Sequence, residues 1–236
     1  MKKELLLFLT SNYSSERINY DLLDDNNNKY GFFDEVKRLN ENDLDDYIKP
    51  IVKHIIDNYS RNDGWKGRGY GYWIWKPYLI LKELKSLNEG DILVYLDIHF
   101  HFDKIKYQYD EILNVLENDE HHMIIAKGYF NDFMFTTTYL KNIVEEELNY
   151  KFTENQLLEF QREAGIIFIK KCDFTIKFFE QYFNIMLNHI DAITDDHNQD
   201  IDNHPTFVEN RHDQSVCSLL AKYYDINNCV NSIHLL

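Results

Sequence analysis

Short apolar runs alternate with helical patterns along this chain of 236 residues, and that alternation restricts the fold more than any other feature. Each run has the length of a buried strand and is bounded by polar or turn-forming residues. The runs occupy 5–9, 92–96, 123–126 and 165–169. Apolar positions at helical spacing occupy 43–59, 80–87, 140–148, 174–190 and 215–224. This order predicts an α/β fold with a mostly parallel central sheet that helices cover on both faces.

The length and the absence of internal breaks predict one domain over residues 1–236. No repeat and no linker rich in Pro, Gly or Ser divides the chain. Pro50 lies inside the first helical pattern, so the sequence predicts a kink or a break there.

Composition excludes several classes of function. The formal net charge of −15 argues against a general nucleic-acid binder, which needs clustered Lys and Arg. The three cysteines are too few and too scattered for a disulfide scaffold or a zinc knuckle. The apolar run at the start is too short for a signal peptide, and no stretch has the length of a membrane span. We therefore expect a cytoplasmic protein without an integral membrane segment.

The first chemically suggestive stretch is Tyr95–Asp103, which begins in the second apolar run. If it is extended, Asp97, His99, His101 and Asp103 share one face, because side chains of a strand alternate. An acid where an apolar strand ends lies at the edge of the sheet where open α/β folds bind ligands. For Asp97 this favours a functional role, whereas His101 and Asp103 are better explained as an exposed strand end.

The second stretch, Glu209–Ser215, opens the last helical pattern and has two interpretations. In one, His212 or Asp213 only caps the helix. In the other, polar groups converge at a helix N-terminus, which suits anions and hydroxyls. The sequence of this stretch is equally compatible with the capping and the binding interpretation.

The third stretch, Trp73–Pro77, follows a glycine-rich segment that holds four of the eight glycines. The backbone of such a segment turns sharply or approaches another group closely. The tryptophans can stack on a base or a sugar, and Lys76 can meet a phosphate. The alternative is that the tryptophans are core residues.

Three blocks together, 69–80, 90–97 and 211–215, resemble a group of small bacterial and viral glycosyltransferases of the GT-A, nucleotide-diphospho-sugar transferase fold. The resemblance extends from Leu5 to about Tyr224. The chain is similar, more distantly, to glycosyltransferase family 8, which shares the helix, strand and aspartate block and a later Asp-Gln pair.

The resemblance implies a role for each matched position. Six residues would contact the donor nucleotide-sugar. Thr10 and Asn12 lie in the loop after the first strand, Lys76 would approach the diphosphate, and the others are Asp97, Glu163 and His212. Asp213 and Gln214 would line the sugar and acceptor side as catalytic residues. Asp97 matches the first aspartate of the Asp-x-Asp motif, whose metal, Mn²⁺ or Mg²⁺, bridges the diphosphate.

Three positions depart from the family pattern. His99 replaces the last residue of Asp-x-Asp, so either its imidazole binds the metal or the metal is held differently. Asn210 occupies a place where histidine is usual. His234 is a weak counterpart of the late metal-binding histidine of family 8.

The expected function is metal-assisted transfer of a hexose from a nucleotide-diphosphate donor, a UDP-sugar, to a glycan or another hydroxyl acceptor, as in polysaccharide biosynthesis. Asp213 is the first choice for the base in an inverting reaction, while a retaining reaction needs no base there. Two alternatives remain open. One is a metal-dependent phosphohydrolase or nucleotidyltransferase acting on a nucleotide sugar, and the other is an inactive sugar-nucleotide binding protein.

Overall fold

The computed structural model describes residues 1–10, 27–29, 31–59, 68–97, 108–195 and 200–227, and a mixed five-stranded sheet lies at their centre. The strand order is β2-β1-β3-β5-β4. β1 pairs in parallel with β2 and β3, and β5 runs antiparallel between β3 and β4. Four strands therefore share one direction, which confirms a mostly parallel sheet. The strands are β1 Lys3–Phe8, β2 Glu35–Leu39, β3 Ile92–Leu96, β4 Met123–Asn131 and β5 Phe160–Lys170.

Helices cover both faces of this sheet, as the sequence predicts. Alternate strand residues point to opposite sides, so Leu6 and Tyr95 join one apolar cluster while Leu5 and Val94 join another. α3 packs on the second cluster, and α1, α2, α5, α7 and α9 pack on the first. The helices are α1 Ile48–Asn58, α2 Trp75–Ser86, α3 Tyr109–Asn118, α4 Asp132–Phe135, α5 Thr138–Leu148, α6 Glu154–Leu158, α7 Asp173–Asn188, α8 Ile190–Ile193 and α9 Asp213–Tyr223.

The local predictions differ from the structure at several elements. α3 was not predicted, and the helix predicted over 80–87 begins earlier, at Trp75. Pro50 neither kinks nor breaks α1, because the helix begins at Ile48 and a proline in the first turn removes no helical hydrogen bond. The last helix begins at Asp213, two residues earlier than the apolar pattern indicates. β2 was not predicted, because its residues, Glu-Val-Lys-Arg-Leu, are partly exposed at the sheet edge and form no apolar run.

The fold brings three chain segments together at one edge of the sheet. Asp97 directly follows β3, and its backbone N–H donates to the Gly165 carbonyl of β5 at 2.8 Å. The N-terminal ends of α2 and α9 lie beside this point, where they carry Lys76 and Asp213. Within the described ranges, no helix is long and apolar enough to cross a membrane.

Candidate functional site

A left-handed turn leads into α2 and shapes one wall of the site. Five consecutive residues have positive φ angles of 55°, 50°, 87°, 53° and 59°, from Gly69 to Trp73. Glycine is needed at the first of them, because a Cβ on Gly69 would lie 2.2 Å from the Trp73 ring. Positive φ at a bulky residue costs free energy, and such strain concentrates at functional sites.

The two tryptophans after this turn have different environments. Trp75 is buried and stacks on Phe8 of β1, with ring centroids 3.9 Å apart, so it is a core residue. Trp73 is only partly buried and lines a cleft. Trp75 is therefore the core residue of the second interpretation, while the stacking of Trp73 on a ligand stays a prediction.

The cleft has a volume of about 360 Å³, within the range of about 300–1,000 Å³ that small-molecule sites occupy. It opens at the sheet edge beyond Asp97. Its lining brings together residues from all three sequence blocks and from β5: Arg68, Trp73, Lys76, Asp97, Glu163, Gly165, Glu209, Arg211, His212, Asp213 and Gln214.

A buried lysine between two carboxylates forms the centre of the cleft. Lys76 Nζ lies 2.8 Å from Asp213 Oδ2 and 3.4 Å from Asp97 Oδ1. The side chains of Lys76 and Asp213 are 3% and 5% exposed, whereas that of Asp97 is 19% exposed and reaches the open side. The Tyr95 hydroxyl donates to Asp97 Oδ1 at 2.6 Å and so fixes the carboxylate from the strand below.

Burial and mutual attraction set the protonation of this cluster. Burial raises the pKa of Asp213 from 3.8 to about 6, although the neighbouring Lys76 ammonium opposes the shift. Burial alone would lower the pKa of Lys76, but the carboxylates of Asp213 and Asp97 outweigh it and raise that pKa above its ordinary value. At neutral pH the site therefore holds a cationic lysine and a carboxylate whose pKa is near the working range of a general base.

The structure also bears on the capping interpretation of Asp213. The residue before α9 is His212, and its side chain makes no capping hydrogen bond. Asp213 is the first helical residue, and its carboxylate is directed at Lys76. The Tyr182 hydroxyl donates to the Asp213 carbonyl at 2.8 Å and holds the start of the helix in place. Asp213 is therefore not the N-cap of α9, and it lines the cleft beside Lys76.

His212 links the start of α9 to the left-handed turn. Its φ and ψ of 53° and −116° lie where glycine is usual, so the tertiary contacts must hold it there. Its Nδ1 lies 2.7 Å from the Ile193 carbonyl, which can only accept, so Nδ1 carries the proton. Its ring packs edge-on against Tyr72 and parallel to Trp73, at 4.9 and 5.9 Å between centroids.

Two arginines complete the wall: Arg68, which the sequence predictions did not include, and Arg211, which lies in the Glu209–Ser215 stretch but was given no role of its own. Arg68 lies 3.1 Å from Asp195 and 3.3 Å from Glu209, and Arg211 lies 3.3 Å from the other oxygen of Glu209. The position of Arg68 in the glycine-rich segment was the signal that could have identified it. Arg211 stacks over the Phe135 ring at 4.3 Å, a contact that only the tertiary structure reveals.

Six predicted site residues line the cleft together: Lys76, Asp97, Glu163, His212, Asp213 and Gln214. Thr10 lies just after β1 and is not among the residues that line this cleft within the described ranges. Asn12 and His99 lie outside the described residues, as do His101, Asp103 and His234.

The side chains that could ligate a metal in this cleft are compatible with a divalent cation that a substrate also helps to hold. The described segments contain no group of three or more histidine, cysteine or acidic side chains that could hold a metal. Asp97 supplies one partly exposed carboxylate facing the cleft. Mg²⁺-type sites need only one or two carboxylates when phosphates of a substrate complete the coordination.

Comparison with solved structures shows a distant similarity to a mouse protein. No protein-family model and no curated protein matches the chain. Mouse xyloside xylosyltransferase 1, in a crystal structure of its apo form, is similar with a TM-score of 0.41 and 10% sequence identity. The similarity covers 98% of this chain and 85% of that chain. Similarity this low does not assign a family.

Proposed function

We propose that this protein is a glycosyltransferase of the GT-A type, which moves a hexose from a UDP-sugar to a hydroxyl of a glycan or another acceptor. The observation that carries the proposal is the cluster of Lys76, Asp97 and Asp213 in one cleft. These residues come from the three sequence blocks that resemble such enzymes. Their charges suit a diphosphate leaving group next to a hydroxyl that must lose its proton.

Lys76 supplies positive charge where the leaving group develops negative charge. Glycosyl transfer breaks the bond between the anomeric carbon and the diphosphate oxygen, through a state with oxocarbenium character. A buried ammonium is an effective stabiliser of the departing diphosphate, because a low-dielectric site strengthens its field. Tyr95 and Asp213 hold the charged groups in place before the substrate arrives, so little reorganisation is needed.

Asp213 is the base that we propose for an inverting reaction. Its pKa of about 6 keeps it mostly ionised at pH 7 and still basic enough to accept a proton. The acceptor hydroxyl transfers its proton to the carboxylate as its oxygen bonds to the anomeric carbon, and the diphosphate departs with the bonding electrons. Gln214, the next residue, offers its amide to the sugar.

We further propose that Mn²⁺ or Mg²⁺ binds Asp97, with His99 as a second protein ligand. Such an ion would neutralise charge on the diphosphate as a Lewis acid. We expect calorimetry to show that a UDP-sugar binds at least tenfold more weakly when the metal is removed, since the protein's net charge repels the donor. Equal binding in a chelator would contradict this metal site.

The experiment that tests the proposed function is a screen of UDP-sugars by thermal shift, with and without Mn²⁺. The UDP-sugar that binds is then assayed for release of UDP with and without a mixture of hydroxyl acceptors. Acceptor-dependent release supports transfer, acceptor-independent release indicates a phosphohydrolase, and binding without release indicates an inactive binding protein. The absence of binding by every UDP-sugar would refute the proposal.

Asp97→Asn provides the matched variant for this assay. We expect it to abolish turnover while the melting temperature changes little, because the side chain is partly exposed and Asn retains an acceptor for Tyr95. Turnover near the wild-type rate would contradict the assignment of Asp97. The proposed cytoplasmic location and the single domain over 1–236 are separate expectations that this assay does not address.

A further inference from the structure

A chain of buried hydrogen bonds runs from the Asp132–Lys222 ion pair to the cleft. Lys222 Nζ donates to Asp132 Oδ2, and the Ser218 hydroxyl donates to the same oxygen at 3.1 Å. Gln161 Nε2 donates to Asp132 Oδ1 at 3.0 Å. Gln214 Nε2 then donates to Gln161 Oε1 at 2.7 Å. Gln214 is the last member of this chain and lines the cleft.

The ion pair fixes the direction of every bond in this chain. An ionised carboxylate only accepts hydrogen bonds, so the amide of Gln161 must turn its NH₂ group toward Asp132. That leaves the Gln161 oxygen to face Gln214, which must turn its own NH₂ group toward Gln161. The orientation of an amide is usually ambiguous, but here the carboxylate at the buried end removes the ambiguity.

Burial makes this orientation stable. Asp132 and Gln161 are 1% and 2% exposed, so neither can exchange its partner for water. Lys222 also donates to the carbonyls of Gln156 and Glu159, at 2.6 and 3.0 Å, which satisfies its three protons together with Asp132. Reversing either amide would bring two acceptors together in a buried place, at a cost of about 1–3 kcal/mol for each unmade bond.

We propose that Gln161, held by Asp132, is a positioning residue that makes Gln214 present its Oε1 acceptor to the cleft, where it selects for a hydroxyl of the bound sugar. This inference rests on the proposed function, because it assigns to Gln214 the sugar part of a nucleotide-sugar. A hydroxyl can donate to this oxygen, whereas a phosphate oxygen cannot. Gln214 therefore recognises the sugar, and Lys76 with the other cations of the cleft recognises the diphosphate.

The hydrogen-bond chain is tested without any ligand, by NMR of the Gln side-chain amides. Gln214→Met identifies the Gln214 signal by its loss. In the wild-type protein we expect one slowly exchanging Gln214 Nε2 proton, and in Gln161→Met we expect its exchange to accelerate at least tenfold. Gln181→Met is the matched control, since Gln181 accepts from the Tyr224 hydroxyl at 2.6 Å in a separate contact. It should leave the Gln214 signal unchanged.

The role in recognition is tested by calorimetry with two probes. The probes are UDP alone and the tightest binder among UDP-glucose, UDP-galactose and UDP-N-acetylglucosamine. Gln161→Met and Gln214→Met should each weaken UDP-sugar binding by about tenfold and leave UDP binding unchanged, as expected for the loss of one good hydrogen bond. The double variant should bind like either single variant, because Gln161 acts through Gln214.

The outcomes separate this inference from the proposed function. The inference is wrong and the proposed function stands in two cases in which the wild-type protein binds UDP-sugar. In one, the double variant loses affinity by the product of the two single losses; in the other, the variants bind UDP and UDP-sugar more weakly by the same factor. If the Gln214 proton exchanges in the wild-type protein as fast as in Gln161→Met, the orienting chain does not form. If the wild-type protein binds none of the UDP-sugars, the proposed function and the recognition role both fail, while the exchange measurement still decides the chain.

Discussion

Replacement of Asp213 by asparagine should stabilise the protein while it destroys activity. Asp213 is buried, and its pKa is raised from 3.8 to about 6, with burial as the largest cause. A shift of about 2 units corresponds to about 3 kcal/mol by which folding disfavours the ionised carboxylate. Asparagine has nearly the same shape, carries no charge, and keeps an oxygen that can accept from Lys76. We therefore expect the free energy of unfolding at pH 7 to rise by up to about 3 kcal/mol.

The pH dependence provides a second test of the same reasoning. Because the folded pKa lies above the unfolded one, the contribution of Asp213 to stability is present below pH 3.8 and is lost as pH rises through about 6. The advantage of Asp213→Asn over the wild-type protein should therefore be largest at pH 7 and shrink as the pH falls toward 4. Urea denaturation of both proteins at pH 4, 5, 6 and 7 measures it.

Asp45→Asn is the control, because the pKa of Asp45 is shifted in the opposite direction to that of Asp213. Burial tends to raise the pKa of Asp45, but hydrogen bonds from Tyr78 and Lys82 outweigh it and lower that pKa to about 2. Its folded pKa lies below the unfolded one, so its contribution is present above the unfolded pKa and is lost as pH falls through about 2. Asp45→Asn should thus lower stability at pH 7 and leave turnover intact.

Turnover should fall by about a hundredfold or more in Asp213→Asn, the usual effect of removing a positioned base. The wild-type rate should rise with pH through about 6, as the carboxylate becomes ionised. The reasoning would be refuted if Asp213→Asn were less stable than the wild-type protein at pH 7 and if the free energies of unfolding of the two proteins changed in the same way with pH. That result would mean that the ion pair with Lys76 outweighs the burial of the carboxylate.

Three further predictions follow from the cleft. Lys76→Met should cost about 3–5 kcal/mol in urea denaturation, because it leaves the buried Asp213 carboxylate without its cation. Adding Asp213→Asn should recover much of this stability but none of the UDP release. Gly69→Ala should weaken UDP-sugar binding, because its Cβ would displace Trp73, whereas Gly31→Ala, with a similar φ and nothing within 4 Å, should cost about 1–2 kcal/mol and leave binding unchanged. Trp73→Ala should weaken UDP-sugar binding by about tenfold in calorimetry, because the partly exposed ring is expected to stack on the ligand, and the melting temperature should change by no more than a few degrees. Unchanged binding would remove Trp73 from the site.

Much of this fold could be predicted from local patterns of apolar and polar residues in the sequence. Apolar runs with polar ends identified four of the five described strands, because a buried strand needs nearly continuous apolar residues. The acid at Asp97 predicted the edge of the sheet at which the cleft lies, because an unneeded charge at the end of a core strand is costly to bury. Helices were predicted over 80–87 and 215–224, and both begin earlier in the structure, at Trp75 and Asp213, so Lys76 and Asp213 lie in their first turns.

Other features required the tertiary structure, because they depend on residues that are distant in sequence. β2 is a strand only because β1 offers it hydrogen-bonding partners, as its own residues carry no apolar pattern. Whether Asp213 caps a helix or faces a lysine is a question of three-dimensional proximity, and the 2.8 Å contact with Lys76 answers it. The orientation of Gln214 likewise depends on Gln161 and Asp132, which approach it only in the folded chain. Sequence thus determined which groups were available for chemistry, and folding decided which of them face one another, because burial and hydrogen bonding act between neighbours in space.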